Sequence, residues 1–512
     1  MAQVELFVFL LFAVVVLAGL GLRSGVPYPV VLVVGGLVIG LVPGLPSPEV
    51  DPDIILFVFL PPLLYAAAIG VSTSELKANA KPIGLLAVGL VLVTIAAVAA
   101  VANVVLGIPW AAGFVLGAVL GPTDPVSAAA VLDRLGVTGR AKTILKGESL
   151  VNDASGLTAY RLAVAAVGAS AGSVFEITGK FVGVALGGIA IGLVVGWVFA
   201  HLRRIVTDPS LDVALSLLTP FVAYVPAEEV HVSGVLATVT AGLFIGARSL
   251  DIIEPSTRLR TLAFWESTAF LLDGLLFVLI GLQVPTIIER IEDADFVTLG
   301  LYALLITAVV MGVRALWMLV IPTFLHSDTT KAERIVIAWS GMRGGVSLAV
   351  ALAIPVDDFP NRDLVIFVAY ATIVLTLVLP GLTLSALVKR LGLQQSEEHK
   401  RQDAEARLKL TQAALDRLDE LEDDAPDHVV QRLRDRYGSR LERLEARVEG
   451  NHDEDGQTDV ARAGKLMAEM IEAEREVLRG MRRDQEYPTD VLREMERELD
   501  LDDSRLRARI RL

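Results

Sequence analysis

The stretch Gly121-Pro122-Thr123-Asp124-Pro125-Val126-Ser127 decides how the chain is read. It interrupts an apolar segment, residues 110–132, that is long enough to cross a bilayer. Two prolines around Thr123-Asp124 cannot both sit in an unbroken helix, because each lacks an N–H and clashes with the preceding turn. A lone proline would make a kink; an acid held between two predicts a break. Carbonyls freed in mid-membrane must face protein, water or a ligand. A cation satisfies such oxygens well, and Asp124 and the Thr123 hydroxyl supply more of them.

The surroundings bear out a membrane reading. The 512-residue chain is 54% hydrophobic, with mean hydropathy +0.60, no cysteine and a formal net charge of −14. Soluble globular proteins average about 45–50% apolar residues even with glycine counted. Charge is also unevenly spread. Residues 1–393 hold 22 Lys and Arg with 27 Asp and Glu, and residues 394–512 hold 23 with 32. A single soluble domain, a disordered chain and a disulfide-stapled scaffold are therefore excluded, as are thiol catalysis and cysteine-ligated metals. The chain divides into a membrane domain, residues 1–393, and a charged cytoplasmic tail, residues 394–512.

About 20 apolar residues span the hydrocarbon. On that ruler the membrane half reads as thirteen segments, near 4–22, 27–45, 54–71, 83–106, 110–132, 143–167, 174–200, 211–227, 232–247, 262–284, 297–322, 333–354 and 363–388. Assigning alternate loops to the cytoplasm puts sixteen Lys and Arg on that side, among them Arg23, Lys77, Arg140, Arg203 and Lys389. Lys180, Arg290 and Arg362 fall opposite. This positive-inside bias predicts a multi-pass plasma-membrane protein with the N-terminus outside and the tail in the cytoplasm.

Ionisable residues inside spans are functional candidates by default. Segment six carries Gly147-Glu148-Ser149-Leu150-Val151-Asn152-Asp153 and then Arg161, segment ten Glu266 and Asp273, and segment eleven Arg314. Segment twelve carries Ser340-Gly341-Met342-Arg343-Gly344-Gly345. Helical spacing puts Ser149 and Asp153 on one stripe and Glu148 with Asn152 on the next. The acids need a cation, and Arg343 is the expected partner of Glu148, with Asn152 hydrogen-bonded beside them. Asp153 is then left unpaired, facing Asp124. Such a carboxylate holds a proton or a cation and rarely both, which is the minimum equipment for exchange. The bland alternative is that all four acids only brace helices.

Segments five and twelve are the two with helix-breaking sequence. If segments one to six and eight to thirteen are repeats, both fall fifth, and the intervening helix inverts the second copy. Paired interrupted segments in inverted repeats mark a midplane transport site. The expected fold is thus an all-α polytopic membrane protein of about thirteen helices with interrupted helices five and twelve, plus a helical tail.

These residues resemble the monovalent cation:proton antiporter-1 family, the NhaP/NHE-type sodium/proton exchangers. The matching pieces are 121–127, 147–153, Leu60-Pro61-Pro62-Leu63-Leu64 and Gly341-Met342-Arg343-Gly344-Gly345-Val346. The resemblance implies that Asp153 carries the proton and the ion, that Thr123, Asp124 and Ser149 complete the Na+ site, and that Glu148 and Arg343 form an ion pair near Asn152. It also implies a homodimer, a core moving against a dimerisation domain, and electroneutral one-for-one exchange with Asn152-Asp153 in place. One departure stands out: Tyr65-Ala66-Ala67-Ala68 follows the Pro-Pro motif where many relatives carry an acid.

The tail alternates charged and apolar residues at helical period, as in Val430, Leu433, Tyr437, Leu441, Leu444 and Val448, with breaks at 423–426 and 450–456. Three or four amphipathic helices fit, and regulation by pH or dimer support is their expected role. The acidic run 453–455 lacks EF-hand spacing and reads as a solvated loop.

The function expected is Na+/H+ antiport, with Li+ or K+ as alternative cations and a K+/H+ antiporter as the nearest rival. The bilayer, the cation, protons and a second copy are the expected partners; no cofactor and no nucleic acid are expected. A cation channel would need a repeated filter, and an intramembrane aspartyl protease a different setting around Asp153. A solute symporter would show a more polar and aromatic interior.

Overall fold

The computed structural model describes residues 2–510 apart from 25, 43–54, 125, 138, 168–173, 290–294, 325–328, 356–358, 394–396, 423–425, 450–453 and 484–488. Pro125 and the 423–425 break of the tail therefore lie outside the described residues. Every regular element among those described is helical. The chain forms two compact units, residues 1–395 and 396–512.

In the first unit the helices of eight residues or more are α1 (Ala2–Ser24), α2 (Tyr28–Gly40), α3 (Leu60–Ile69), α4 (Ala80–Leu106), α5 (Trp110–Leu120), α6 (Val126–Arg134) and α7 (Arg140–Val167). They continue as α8 (Val174–Ile205), α9 (Pro209–Glu229), α10 (Gly234–Ile252), α11 (Pro255–Glu289), α12 (Phe296–Phe324), α13 (Lys331–Trp339), α14 (Gly345–Leu352) and α15 (Arg362–Arg390). Eight are long and apolar enough to cross a membrane: α1, α4 and α8 to α12, with α15. α2, α3 and α5 are shorter apolar helices. α7 has the length, at 28 residues, but not the hydropathy, because Lys146, Glu148, Asp153 and Arg161 lie on it.

Local chemistry explains where these helices begin and end. Pro61 and Pro62 lie where a π-helical turn, Ile55–Phe59, runs into α3, and their missing N–H groups fit the change of hydrogen-bond pattern there. α4 ends at Gly107 in the left-handed conformation, φ 69°, which glycine adopts without strain. Asp208 caps α9 by accepting from the Ser210 and Leu211 N–H groups, both at 2.9 Å. Thr330 and Glu333 close a capping box at the start of α13. In the loop before α12, the Asp295 carboxyl accepts from the Thr298 hydroxyl at 2.9 Å and the Val297 N–H, which hold it below its ordinary range.

The main apolar cluster of the interior includes Val14, Leu32, Leu60, Val98, Leu116, Val278, Ile306, Leu348 and Ile373, and a second includes Leu86, Val131, Ile144, Val336 and Leu384. α2 and α11 meet backbone to backbone. A Cβ on Gly36 would lie 2.3 Å from the Val278 carbonyl oxygen, and one on Gly281 2.1 Å from that of Val33. Small residues at such crossings let membrane helices pack closely. Large apolar side chains, including Phe12, Leu186, Trp197 and Leu319, point outward, as lipid requires.

Arg203, read from sequence as a loop cation, is buried instead. It forms a bidentate pair with Asp212, at 2.7 and 2.6 Å, across the turn between α8 and α9. Residues nine apart around a turn meet in space, which a loop-charge count does not register.

The second unit contains α16 (Glu397–Glu420), α17 (Asp427–Val448), α18 (Glu454–Arg483) and α19 (Thr489–Ile510). They pack as two pairs, α16 with α17 and α18 with α19. Arg434 reaches Asp419 at 2.7 Å and Glu422 at 3.2 Å; Arg475 reaches Asp500 at 2.8 Å and Asp503 at 3.2 Å. Glu454 and Asp455, read as loop, open α18 instead.

Candidate ion site

The two interrupted segments cross at their breaks. α5 stops at Leu120, and α6 resumes at Val126, whose N–H donates to the Asp124 Oδ1 at 2.8 Å. α13 stops at Trp339 and α14 resumes at Gly345. One backbone bond joins the breaks: the Asp124 N–H donates to the Met342 carbonyl at 2.8 Å. Gly344 is obligatory there, since a Cβ would stand 2.2 Å from the Asp124 Oδ2. α7 lies against the same place, where a Cβ on Gly156 would fall 2.1 Å from the Pro122 Cγ.

A helix ending inside the hydrocarbon leaves carbonyls without partners and a partial negative charge. Each end here meets a buried guanidinium. Arg343 donates from Nε to the Leu120 carbonyl at the end of α5, at 2.9 Å, and also bonds the Gly341 carbonyl. Arg314 of α12 donates from Nε to the Ile337 carbonyl near the end of α13, at 3.0 Å. Its two terminal nitrogens grip Glu148, with Nη1 to Oε1 at 2.5 Å and Nη2 to Oε2 at 2.8 Å.

The partner of Glu148 is thus Arg314, which corrects the expected Glu148–Arg343 pair. Arg343 sits inside the break itself and serves its neighbours' carbonyls, whereas Arg314 reaches in from another helix. Glu148, Arg314 and Arg343 are each no more than 2% exposed, so none is left to water. The signal was present: one arginine within residues 297–322, an otherwise apolar span, requires a buried anion.

Thr123 and Asn152 join this network. The Thr123 hydroxyl donates to Glu148 at 3.0 Å and accepts from the Asn152 Nδ2 at 2.9 Å, which also donates to the Thr123 carbonyl at 3.1 Å. Asn152 therefore bonds Thr123, which in turn gives its only hydroxyl proton to Glu148. The Asn152 Oδ1 has no protein partner among the described residues.

Asp153 differs. It is half-buried, accepts no hydrogen bond among the described residues, and lies within electrostatic reach of Asp124. Ser149, half-buried one helical turn earlier, shares its stripe. Asp273 of α11, noted from sequence without a role, also lies within reach of Asp124. Asp153 and Asp273 thus each lie within electrostatic reach of Asp124, and among the described residues neither has the cationic partner that Glu148 has. Ala66 of α3, where relatives' acids are expected, brings no carboxylate. No group of three or more His, Asp or Glu among the described residues forms a resident metal centre.

Two half-helices crossing at capped breaks beside un-neutralised carboxylates define the class: an ion-coupled membrane transporter. The family described as sodium/hydrogen exchanger, transmembrane, matches residues 8–390. An uncharacterised Na+/H+ exchanger of Mycobacterium tuberculosis is 34% identical, over 98% of this chain and 95% of that protein. A sodium, potassium, lithium and rubidium/H+ antiporter of Bacillus pumilus is 33% identical, over 77% of this chain and 62% of that protein. Among solved structures, the sodium proton antiporter MjNhaP1 of Methanocaldococcus jannaschii shares the fold, with a TM-score of 0.64 at 20% identity, over 77% of this chain and all of that one. The chain belongs to the sodium/hydrogen exchanger family. It is a multi-pass membrane transporter and its relatives are cation/proton antiporters.

Proposed function

We propose that the chain exchanges one Na+ for one H+, with the two ions competing for Asp153 and Asp124. The observation that carries this reading is the inequality of the two acids of α7. Glu148 is gripped by Arg314 and Thr123, whereas Asp153 has no donor among the described residues and faces Asp124. A cation entering there completes its shell from Asp153, Asp124, Ser149 and freed backbone oxygens. Thr123 acts chiefly by holding the break against Glu148, and it offers the site only its remaining lone pair and its carbonyl. The crossing helices alternate their exposure to the two faces as the core moves.

The test is cation-dependent ΔpH dissipation in proteoliposomes holding the purified chain. Na+ is expected to support exchange at lower concentration than Li+ or K+. K+/H+ antiport is the second reading, favoured by the missing acid at Ala66 and by the breadth in the name of the Bacillus relative. K+ outperforming Na+ in the same assay would select it. For one-for-one exchange, an imposed membrane potential is expected to leave the initial rate unchanged, because no net charge moves; acceleration by either polarity would reject that stoichiometry.

The reading places thirteen crossings in residues 1–393, arranged as inverted repeats with the broken pairs α5–α6 and α13–α14 fifth and twelfth. The N-terminus lies outside, the tail in the cytoplasm, and a homodimer in the plasma membrane is the working unit. The tail serves pH response or dimer support. Deleting residues 396–512 is expected to shift the pH profile of exchange or lower the dimer fraction in detergent. A truncated chain unchanged in both would remove that role.

A further inference from the structure

The two ends of the site are built differently. Eight residues beyond Asp153, about 12 Å along the helix, the Arg161 guanidinium of α7 pairs with the Glu228 Oε2 in the last turn of α9. The other carboxylate oxygen of Glu228 accepts from the Gly234 N–H at 3.0 Å, across the turn into α10. That turn is tight, with His231 at φ 59°. It also excludes a side chain at Gly234, whose Cβ would lie 2.8 Å from Glu228 Oε1 and from the Tyr224 ring. Glu228 is therefore fixed by its own hairpin and presents one oxygen to α7.

α7 packs mainly against α5 and α4 and also touches α3, α8, α10 and α13, whereas α9 packs against α10, α8, α11 and α3. α7 and α9 themselves share little packing, so the pair is their main link. α10 then carries the chain 19 residues away before α11 begins. A cavity of about 660 Å³, lined by Tyr28, Glu266, Ser267, Phe270 and Asp273, lies 11 to 18 residues along α11 from that end. Glu266 and Ser267 are exposed, and Asp273 lies within reach of Asp124. The α7/α9 end is tied by this pair, and the cavity at Glu266 is open at the protein surface.

We propose that Arg161–Glu228 is a latch closing the α7/α9 end of the cation path while the Glu266–Asp273 cavity admits the cation, and that each exchange cycle breaks and remakes it. The inference rests on the exchange reading above and adds the gate to it. The pair is half-exposed, and such pairs are weak enough to break reversibly.

The chain has no cysteine, so introduced thiols report without background. In an Arg161→Cys/Glu228→Cys chain, a short bifunctional thiol cross-linker is expected to stop exchange, and reductant to restore it with a cleavable linker. Each single-cysteine chain should be indifferent to the same reagent. Separately, Thr158→Cys, buried between Asp153 and Arg161 on α7, reads the gate without any ion movement. Adding Arg161→Glu should speed its labelling by a thiol reagent about fivefold, the full weight of a half-exposed pair; Glu228→Arg on top should return it to the starting rate. A cross-linked chain that exchanges at the uncross-linked rate overturns the latch. So does labelling that ignores both charge changes. If labelling follows the charges while no chain exchanges ions, the latch stands and the exchange reading falls.

Discussion

Asp153→Asn is expected to abolish cation-dependent ΔpH dissipation while the folded yield stays near that of the unaltered chain. The amide cannot ionise, so it neither releases a proton nor balances a cation, and a loss of at least about a hundredfold follows from removing an intramembrane charge that nothing else replaces. The yield is spared because Asp153 accepts no hydrogen bond among the described residues, and no donor is orphaned by the change. Exchange persisting at an ordinary rate in reconstituted Asp153→Asn would remove this residue from the mechanism.

Arg314→Ala is expected to do the opposite, collapsing the yield of monodisperse protein before any transport is measured. The substitution strands Glu148 in the interior and uncaps the Ile337 carbonyl. Breaking a buried pair by removing one partner costs about 3–5 kcal/mol, whereas replacing both by apolar groups of similar size is often neutral. The double change Glu148→Leu/Arg314→Met should therefore recover much of the yield lost in Arg314→Ala. Arg343→Ala removes contacts to two carbonyls but strands no acid, and should cost less than Arg314→Ala. Thermal unfolding in detergent, followed by light scattering, ranks the three chains. Equal losses in Arg314→Ala and Arg343→Ala, with no recovery in the double change, would contradict the assignment of Arg314 to Glu148.

The breaks in segments five and twelve were legible because proline and glycine act locally: Pro122 ends a helix whatever surrounds it. The carboxylates were legible because charge is scarce in residues 1–393. The cation facing Glu148 was not, because Arg161, Arg314 and Arg343 all lie within the spans and helical spacing orders residues along one helix without saying which other helix stands beside it. Arg203 and Asp212 escaped for a related reason, since two charges at neighbouring helix ends look solvated until the turn between them folds. Thr123 was expected at the ion site, and only geometry reveals that its hydroxyl proton goes to Glu148.

The buried guanidinia have a thermodynamic consequence. Because Arg343 and Arg314 bond the terminal carbonyls of α5 and α13 directly, the crossing does not depend on the transported ion for its backbone hydrogen bonding. Loading the cation then exchanges water for protein oxygen without burying new apolar surface. Titration calorimetry should accordingly register a small heat-capacity change, unlike the large negative value that accompanies folding coupled to binding.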